Sequence, residues 1–585
     1  MTDPSDKSRL TLAPRCHPRQ WLIAGLWLSL LATVAQATVL DEPERATGWR
    51  QKQAVSGTTQ AVVTANPWAS RAAWWALERG GTAADAVVAA QWVLTLVEPQ
   101  SSGLGGGAFM LYYDADTRQL FSYDGRETAP AAVRSGSYVD DDGTPRDWWS
   151  IVASGHSVGV PGVVAMLGTA HRRYGRLPWS ALVKPAQGLA ERGVAVSPRL
   201  AGLLRAIPHP NLASAGAAQQ YFFPDGQPLA AGVSLRNPPL AQTLGRLGEQ
   251  GPDSFYRGTL AAEMVNAVKA KGGVLSEADL ADYQPRQRQP LCSQWRQYRV
   301  CSMGPPSSGG LALLQILQLW QRTAGAVKAD FATAANAHRF TQILRLVFAD
   351  RDSHVGDPDY DPVPVDALLE PAYLDAQARR ITRQDQGPLA TGLPAPQRQA
   401  KTLERPSTTH LSVVDRWGNA ASMTSSIEMG FGSGLMAGGF LFNNQLTDFS
   451  FGRGQLVNGI EPGKRPRSSM TPVVVFDSAG EVRLVIGSPG GSRIIPYVAW
   501  ALLAYLDGGM GLQEALDLGH VANLNGDYTE LEQGTEVANW APVLRQRGHR
   551  VKVVALDSGI HAISREDGRW VAAADGRREG LAMAR

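Results

Sequence analysis

The sequence predicts an α+β protein in which two stacked β-sheets lie between layers of helices. Strand-like runs cluster between residues 410 and 486, and helical patterns occupy much of the remaining chain. Strands gathered in one stretch, with helices elsewhere, fit this layered arrangement. The 585 residues, 44% hydrophobic and 19% charged, suffice for one large or two average domains, so length leaves the domain count open.

The first 37 residues have the pattern of a cleaved secretory signal. Four basic residues precede an apolar run over residues 21–34, and the small-x-small site Ala35-Gln36-Ala37 follows. This run is short for a bilayer span, which needs ~20 residues, so the pattern favours cleavage over an uncleaved anchor. We therefore expect an exported protein, periplasmic or secreted, with no stable membrane insertion once the signal is removed.

Charge and ligand spacing exclude several classes of partner. Loss of residues 1–37 removes four basic and two acidic side chains and lowers the formal net charge from +3 to +1. A nearly neutral body gives no reason to expect nucleic acid or anionic membrane partners. The histidines and carboxylates show no metal-ligand spacing, so we predict no metal and no cofactor.

Two helices are predicted at the start of the mature chain, over residues 67–78 and 82–96, with Gly80-Gly81 between them. Thr82 is a plausible N-cap, and Asp85 completes a capping-box-like arrangement. The second helix is apolar almost all round, which predicts that it lies between two layers.

Strands and further helices follow. A glycine-rich stretch leads into predicted core strands over residues 108–113 and 120–123, and residues 160–290 are mainly helical in pattern, with Pro/Gly loops. Cys292 and Cys301 flank an alternating stretch typical of a hairpin. Because Cys16 leaves with the signal, these two remain as a pair for an oxidising compartment, either disulfide-bonded or as free thiols on paired strands.

The last third is predicted to contain two hairpins. A looser, Pro-rich stretch over residues 384–406 precedes the first, formed by residues 410–415 and 420–425. The second comprises residues 472–476 and 482–486. The turn Gly487-Ser488-Pro489-Gly490-Gly491 then enters an apolar helix over residues 494–506.

Thr408, just before the first hairpin, has the chemistry of a latent amino terminus. If the bond between Ser407 and Thr408 is cut, one residue carries both a hydroxyl nucleophile and a free α-amine. An α-amine has a pKa near ~8, so it can accept the hydroxyl proton directly or through a water. A Thr-Thr-His run alone is more often an ordinary strand, so this interpretation depends on the motifs around it.

Many motifs flank Thr408 in a fixed order. Those before it lie at residues 98–107, 125–127, 159–162, 305–310 and 349–351, and those after it at 418–419, 424–428, 431–432, 442–449, 468–470 and 487–491. Their order and spacing resemble the γ-glutamyltransferase (γ-glutamyl transpeptidase) family of N-terminal nucleophile hydrolases, over about residues 58–580. The resemblance implies a four-layer αββα sandwich, one domain made from two autoprocessed subunits, residues 38–407 and 408–585. The loose segment before Thr408 would suit release on cleavage.

The resemblance also implies a set of site residues. Thr408 would be the nucleophile, with Ser426 beside it, and the backbone N–H groups of Gly490 and Gly491 would form the oxyanion hole. Arg126 with Ser468 and Ser469 would hold the α-carboxylate of a γ-glutamyl donor, because a guanidinium fork matches its two oxygens. The α-ammonium would contact acceptors from Glu428, Gln445 and Asp448.

Three features depart from the commonest family pattern. Ser426 stands where many members have a second Thr, and its hydroxyl has a freer rotamer. Glu428 stands where many have Asn, which bears on the preferred acyl group more than on catalysis. The segment between Asp448 and Ser468 is short, and its loop over residues 451–456 has no Tyr to close over the site, which predicts an open cleft for bulkier donors.

The leading interpretation is a γ-glutamyltransferase/glutathione hydrolase that cleaves γ-glutamyl amides through a γ-glutamyl-Thr intermediate. Its partners would be a small γ-glutamyl donor and an acceptor, water or an amine of an amino acid or peptide. One alternative is a glutaryl-type (cephalosporin) acylase of the same family, which the Ser426 and Glu428 pattern supports. Another is a non-catalytic binding protein that never matures, and a single intact band on a denaturing gel would support it.

Overall fold

Two seven-stranded antiparallel sheets form the centre of the molecule. The computed structural model describes residues 49–214, 216–323, 331–394, 407–452 and 456–585. The predicted signal over residues 1–37, and residues 395–406 of the loose segment, lie outside the described residues. Within the described ranges, no helix has both the length and the apolarity needed to cross a membrane.

The strands come from the whole length of the chain. They are β1 (Val55–Gly57), β2 (Ala61–Thr64), β3 (Gly107–Asp114), β4 (Gln119–Gly125), β5 (Val194–Ala195), β6 (Ser234–Leu235), β7 (Arg286–Arg288), β8 (Leu291–Trp295), β9 (Tyr298–Ser302), β10 (Thr409–Val414), β11 (Ala420–Ser426), β12 (Met436–Ala437), β13 (Phe440–Leu441), β14 (Val473–Phe476), β15 (Val482–Gly487), β16 (Val521–Ala522), β17 (Tyr528–Glu532), β18 (Arg550–Val554), β19 (His561–Glu566), β20 (Arg569–Ala574) and β21 (Leu581–Ala584).

The helices fall on both sides of Thr408 in the sequence. They are α1 (Pro67–Glu78), α2 (Ala83–Val97), α3 (Trp148–Val152), α4 (Val163–Tyr174), α5 (Trp179–Leu182), α6 (Lys184–Arg192), α7 (Pro198–Ala206), α8 (Pro210–Ala213), α9 (Ala217–Phe222), α10 (Pro238–Gln250), α11 (Thr259–Lys269), α12 (Glu277–Ala281), α13 (Gly309–Thr323), α14 (Ala334–His354), α15 (Val365–Leu369), α16 (Pro371–Ala378), α17 (Ile494–Leu506), α18 (Leu512–Asp517) and α19 (Ala541–Gln546).

Each sheet combines strands from before and after Thr408. The first has the order β1-β20-β19-β15-β14-β9-β8, and the second β21-β2-β10-β11-β3-β4-β7. The faces of the two sheets share a buried cluster that includes Val63 and Leu111 of the second sheet with Val485 and Ile563 of the first. Side chains on the opposite faces pack against helices, α1 and α2 among them on the second sheet and α13 and α17 on the first. The predicted α+β class and the pair of stacked sheets are confirmed.

Several predicted elements form with nearly the expected bounds. Helix α1 spans Pro67–Glu78, and α17 spans Ile494–Leu506. Thr82 caps α2 in a capping box with Asp85, and every residue of this helix is buried, as its all-round apolar pattern predicts. Such cap hydrogen bonds satisfy backbone N–H groups of the first turn, which have no partner within the helix.

One sequence expectation was too narrow. No strand was predicted from the sequence after residue 486, but β19, β20 and β21 near the end of the chain belong to the two sheets, where β20 pairs with β1 and β21 with β2. These pairings join residues more than 500 positions apart, for example Val55 with Ala572. Local sequence patterns carry no information on such contacts.

The hairpin at residues 292–301 has Cys292 directly opposite Cys301 on β8 and β9. The two side chains form a disulfide in the structure. This bond lies on the strand pair at the edge of the first sheet.

Candidate active site

Thr408 lies at the end of a central hairpin. Strands β10 and β11 pair with Thr409 opposite Ser425, so Thr408 and Ser426 meet at the end of the ladder. The Thr408 hydroxyl donates a hydrogen bond to Ser426 Oγ at 3.1 Å, and Ser426 Oγ accepts another from the Glu428 backbone N–H at 2.9 Å. Ser426 therefore aims the hydroxyl of Thr408.

The backbone at Thr408 is strained. Its φ is +114°, a conformation that a β-branched residue rarely adopts. Such residues cost about 1–3 kcal/mol and persist only where the surrounding structure holds them. Here Ser407 Oγ donates to the Gln100 carbonyl oxygen at 2.9 Å, which fixes the chain immediately before the strained residue.

The Gly490-Gly491 turn lies against the bond that precedes Thr408. The Gly490 N–H donates a long hydrogen bond of 3.4 Å to the carbonyl oxygen of Ser407. Gly490 has a φ of +134°, and an added Cβ would lie 2.7 Å from the ring of Tyr497. Only glycine fits, because both the conformation and the close approach to the ring exclude a side chain.

The predicted residues converge on one cleft. Thr408 borders a cleft of about 260 Å³, a volume that includes some open solvent. The other lining residues are Arg126, Ser426, Glu428, Gln445, Asp448, Ser468, Ser469, Met470, Gly491 and Ile494. Of the predicted catalytic and binding residues, Gly490 alone does not line this cleft, and its N–H reaches the Ser407 carbonyl instead.

Arg126, just after β4, supplies the positive charge of the cleft. Its guanidinium donates to Asp448 Oδ2 at 2.6 Å and to the backbone carbonyls of Pro466 and Arg467 at 3.1 and 2.7 Å. The side chain is 1% exposed, so this Arg-Glu dipeptide is not the solvated pair that such sequences usually form. Bonds to fixed carbonyls hold the fork in one orientation.

Glu127 is a buried acid behind Arg126. Its Oε2 lies 3.8 Å from Arg126 Nη1, and its oxygens receive no hydrogen bond from another described residue. Burial raises the pKa of Glu127 to about 8, although the Arg126 charge acts in the opposite direction. The carboxyl is therefore mostly neutral at pH 7.

Asp448 and Glu428 supply hydrogen-bond acceptors to the cleft. Asp448 Oδ2 accepts from Gln445 Nε2 at 2.7 Å as well as from Arg126. Glu428, 3% exposed, accepts from the side-chain amide of Asn444. Two carboxylates thus share the cleft with one guanidinium.

Ser468 and Ser469 also line the cleft. Ser468 Oγ accepts from the Met470 N–H at 3.1 Å. Ser469 Oγ accepts from Arg351 Nη2 at 2.9 Å, and Arg351 also bonds Ser308 Oγ at 3.0 Å. These contacts orient both hydroxyls.

Sequence reasoning missed some of these residues. Arg351 belongs to the motif at residues 349–351, which by itself indicates no role for this side chain. Met470 and Ile494 line the cleft as apolar neighbours of predicted residues. Arg578, whose Nη1 donates to the Thr408 carbonyl at 3.0 Å, lies 170 positions away in the sequence, and no local signal connects it with Thr408.

His410, two residues after Thr408, is not placed to act as its base. Its ring nitrogens contact Thr424 Oγ1 at 2.9 Å and Ser412 Oγ at 3.1 Å. Burial lowers the pKa of His410 well below its usual value, so the ring is neutral.

Comparison with known proteins gives consistent results. The glutathione hydrolase proenzyme of Bacillus subtilis (strain 168) is 34% identical over 549 residues, which cover 91% of this chain and 92% of that protein. Acylase ACY 1 proenzyme of Pseudomonas sp. (strain SE83) is 32% identical, with 91% of this chain and 95% of that protein covered. The crystal structure of cephalosporin acylase from Bacillus halodurans is similar with a TM-score of 0.82 at 27% identity, over 92% of this chain and 97% of that one. The family model described as Gamma-glutamyltranspeptidase matches residues 69–585, and the chain belongs to that family.

Proposed function

We propose that this protein is an exported, self-cleaving γ-glutamyltransferase/glutathione hydrolase with Thr408 as its nucleophile. The observation that carries the proposal is the convergence of a strained Thr, one guanidinium and two carboxylates, all on residues of low exposure, on one cleft. The subunits would be residues 38–407 and 408–585, arranged as a four-layer αββα sandwich. The buried clusters on both faces of each sheet support that layer order.

Self-cleavage begins from the contacts around Ser407. Thr408 Oγ attacks the Ser407 carbonyl carbon, and the oxyanion that forms is stabilised by the Gly490 N–H, which already contacts this oxygen at 3.4 Å. The bond between Ser407 C and Thr408 N breaks, the nitrogen takes up the hydroxyl proton, and Ser407 is left esterified to Thr408. Water hydrolyses the ester and releases the Ser407 carboxylate. Strain at Thr408 raises the energy of the precursor and so favours this step.

The free terminus then performs the same chemistry on a donor. The α-amine takes the hydroxyl proton, and Thr408 Oγ attacks the γ-carbonyl carbon of the donor. N–H groups of Gly490 and Gly491 stabilise the oxyanion, and the leaving amine departs with the proton. Water or an acceptor amine then attacks the γ-glutamyl ester and restores Thr408.

The charges of the cleft match a γ-glutamyl head group. Its α-carboxylate would bind Arg126 with Ser468 and Ser469, and its α-ammonium would lie beside Asp448 and Glu428. A glutaryl group has the same chain length but no ammonium. It would leave the two buried carboxylates without a second cation, which is costly at low solvent exposure.

A glutaryl-type acylase remains the second candidate. Its support is the TM-score of 0.82 to a cephalosporin acylase over 92% of the chain. The charge argument separates the two, since an acylase for glutaryl groups has no use for both Asp448 and Glu428.

The first experiment is the subunit composition of the purified protein and of a Thr408→Ala variant. We expect two fragments for the wild type, the smaller beginning at Thr408, and one uncut chain for the variant. An uncut wild-type chain would support a binding protein and end the enzyme assignment.

The second experiment compares hydrolysis of γ-glutamyl and glutaryl p-nitroanilides. We expect the γ-glutamyl compound to be cleaved at least about 100-fold faster in kcat/KM, because only it carries the ammonium. Asp448→Asn should reduce this preference. Faster cleavage of the glutaryl compound by the wild type would favour the acylase.

A further inference from the structure

A buried arginine binds the backbone of the nucleophile. Arg578, between β20 and β21, donates from Nη1 to the Thr408 carbonyl oxygen at 3.0 Å, and its side chain is 1% exposed. The mechanism above gives this contact no task. A buried charge is costly unless it is paired, so its place beside the nucleophile calls for an explanation.

The surroundings of Arg578 fix its position. Its Nη2 lies 3.2 Å from Asp557 Oδ2, and Lys52 Nζ donates to its backbone carbonyl at 2.7 Å. A Cβ added to Gly559 would lie 2.6 Å from Arg578 Cδ, so only glycine leaves room for the arginine there. These contacts hold the guanidinium against Thr408.

A second buried arginine lies in the cluster around Arg578. Asp557 Oδ2 also lies 3.8 Å from Arg199 Nη2, and both arginines are 1% exposed, so two buried guanidinium groups share this carboxylate. Glu579 lies at the edge of the cluster, where it accepts from the Arg199 backbone N–H at 3.1 Å. Burial lowers the pKa of Lys52 to about 8, although Asp575 acts in the opposite direction.

The cleft side of Thr408 is acidic. Glu428 and Asp448 both line it, and Asp448 is paired with Arg126 at 2.6 Å. His410 and His561 lie behind the strand and are neutral, because burial lowers the pKa of both, that of His561 to about 3. An ammonium at Thr408 would thus lie between the cleft, which Glu428 lines, and the guanidinium of Arg578.

We propose that Arg578 is a positioning residue that fixes the Thr408 carbonyl and keeps the α-amine created by cleavage unprotonated. The inference rests on the proposed function, because only a cleaved chain has this amine. A guanidinium a few ångströms from an ammonium repels it, and the repulsion is strong where solvent is excluded. The amine then accepts the Thr408 hydroxyl proton at neutral pH.

The test uses two variants with opposite expected effects on the pH profile of kcat/KM for γ-glutamyl p-nitroanilide. Arg578→Gln removes the positive charge, so the acidic limb should move up by about one pH unit. At pH values below the limb, kcat/KM should fall by about tenfold, and it should recover near pH 9. Asp557→Asn removes a negative charge beside Arg578, so the limb should move down. Arg578→Lys keeps the charge and should leave the limb within about 0.3 units of the wild type.

A uniform loss at every pH, with the limb unmoved in both variants, would overturn the proposal and leave Arg578 a structural role only. If Arg578→Gln fails to mature, Asp557→Asn alone tests the proposed role of Arg578. An acidic limb that is unmoved or raised in that variant is enough to reject the role. The wild type, assayed in parallel, distinguishes failure of the proposed function from failure of the proposed role of Arg578. An uncut wild type removes the proposed function, whereas a cut, active wild type with unmoved variants removes only the role of Arg578.

Discussion

Ser426 links the nucleophile to the wall of the cleft. It accepts from the Thr408 hydroxyl at 3.1 Å and from the Glu428 N–H at 2.9 Å, so one oxygen orients two groups. A Thr at this position would keep the hydroxyl and restrict its rotamer. The departure from the common pattern therefore changes the freedom of the contact and not its chemistry.

Removal of this hydroxyl should slow catalysis. We expect Ser426→Ala to lower kcat by about 10- to 100-fold, because Thr408 loses its acceptor and a buried N–H loses its partner. Ser426→Thr should retain at least the wild-type kcat. Steady-state kinetics of fully processed protein measure both, and an unchanged kcat in Ser426→Ala would mean that Thr408 is oriented without Ser426.

The raised pKa of Glu127 predicts a pH effect on binding. The carboxyl is neutral below about pH 8 and becomes anionic above it, since burial raises the pKa of Glu127 to about 8. Once ionised, it lies 3.8 Å from Arg126 and competes with the α-carboxylate of the donor. We therefore expect the KM for the donor to rise above about pH 8 through this group, whereas kcat follows the amine of Thr408.

Glu127→Gln should remove this rise in KM, and the exposed control Glu249→Gln on α10 should retain it. The measurement is KM and kcat for γ-glutamyl p-nitroanilide between pH 6.5 and about 9.5, a range that brackets the raised pKa. An identical alkaline rise in Glu127→Gln would assign it to another group.

For individual residues, the sequence predicts the chemical role of a side chain better than its solvent exposure. Thr408, Arg126 and Asp448 were identified from their motifs, and they do line one cleft. Their burial was not predictable, because Arg126-Glu127 reads locally as a solvated pair, yet distant carbonyls surround it. Arg578 could not be identified at all, since its contact with Thr408 exists only in three dimensions.

At the scale of elements, the turn before α17 is the most constrained. Gly490 needs both a φ of +134° and the absence of a side chain against Tyr497. Its helix begins immediately after the turn, so a displacement there moves the N–H away from the Ser407 carbonyl.

We expect Gly490→Ala to slow self-cleavage by at least about 100-fold, the size of effect seen when one oxyanion donor is lost. The matched control is Gly509→Ala, just beyond the other end of α17. It also has a positive φ, of +70°, but an added Cβ would meet nothing within 4 Å. This control should cost about 1 kcal/mol of stability and still mature. Equal cleavage of both variants on a denaturing gel would show that the turn is not the oxyanion site.

Local patterns predicted the elements that are periodic and well capped. Helix α1 with its Asn66 cap, helix α2 with its Thr82 cap and the hairpin of β10 and β11 are of this kind. Strands β19 and β20 form a local hairpin around Asp567-Gly568, a turn signal that was overlooked in the sequence. Strand β21 was missed because its partner β2 lies more than 500 positions away in the sequence. Tertiary pairing decides such strands, since strand propensity depends on burial and on cross-strand neighbours.

At the scale of the molecule, the two proposed subunits are interleaved. Strands β10 and β11 lie between β2 and β3, and β1 pairs with β20. Each sheet therefore contains ladders between residues on opposite sides of the cut. Breaking one peptide bond removes none of these hydrogen bonds.

We therefore expect the cleaved subunits to remain associated. They should elute together in size-exclusion chromatography at submicromolar concentration and separate only in denaturant. Because the sheets are shared, unfolding should be a single transition for both subunits, measured by circular dichroism and by subunit-specific fluorescence. Dissociation of one subunit from the other in native buffer would contradict this arrangement.

The contact between the Gly490 N–H and the Ser407 carbonyl has a consequence for quality control during synthesis. The same donor would serve the chain's own peptide bond first and foreign amides afterwards. A molecule whose turn is misplaced would fail on its internal substrate and stay inert. Every molecule that gains a free Thr408 would thus have a correctly formed oxyanion site. Misfolded molecules would stay uncleaved and inactive without the action of another protein.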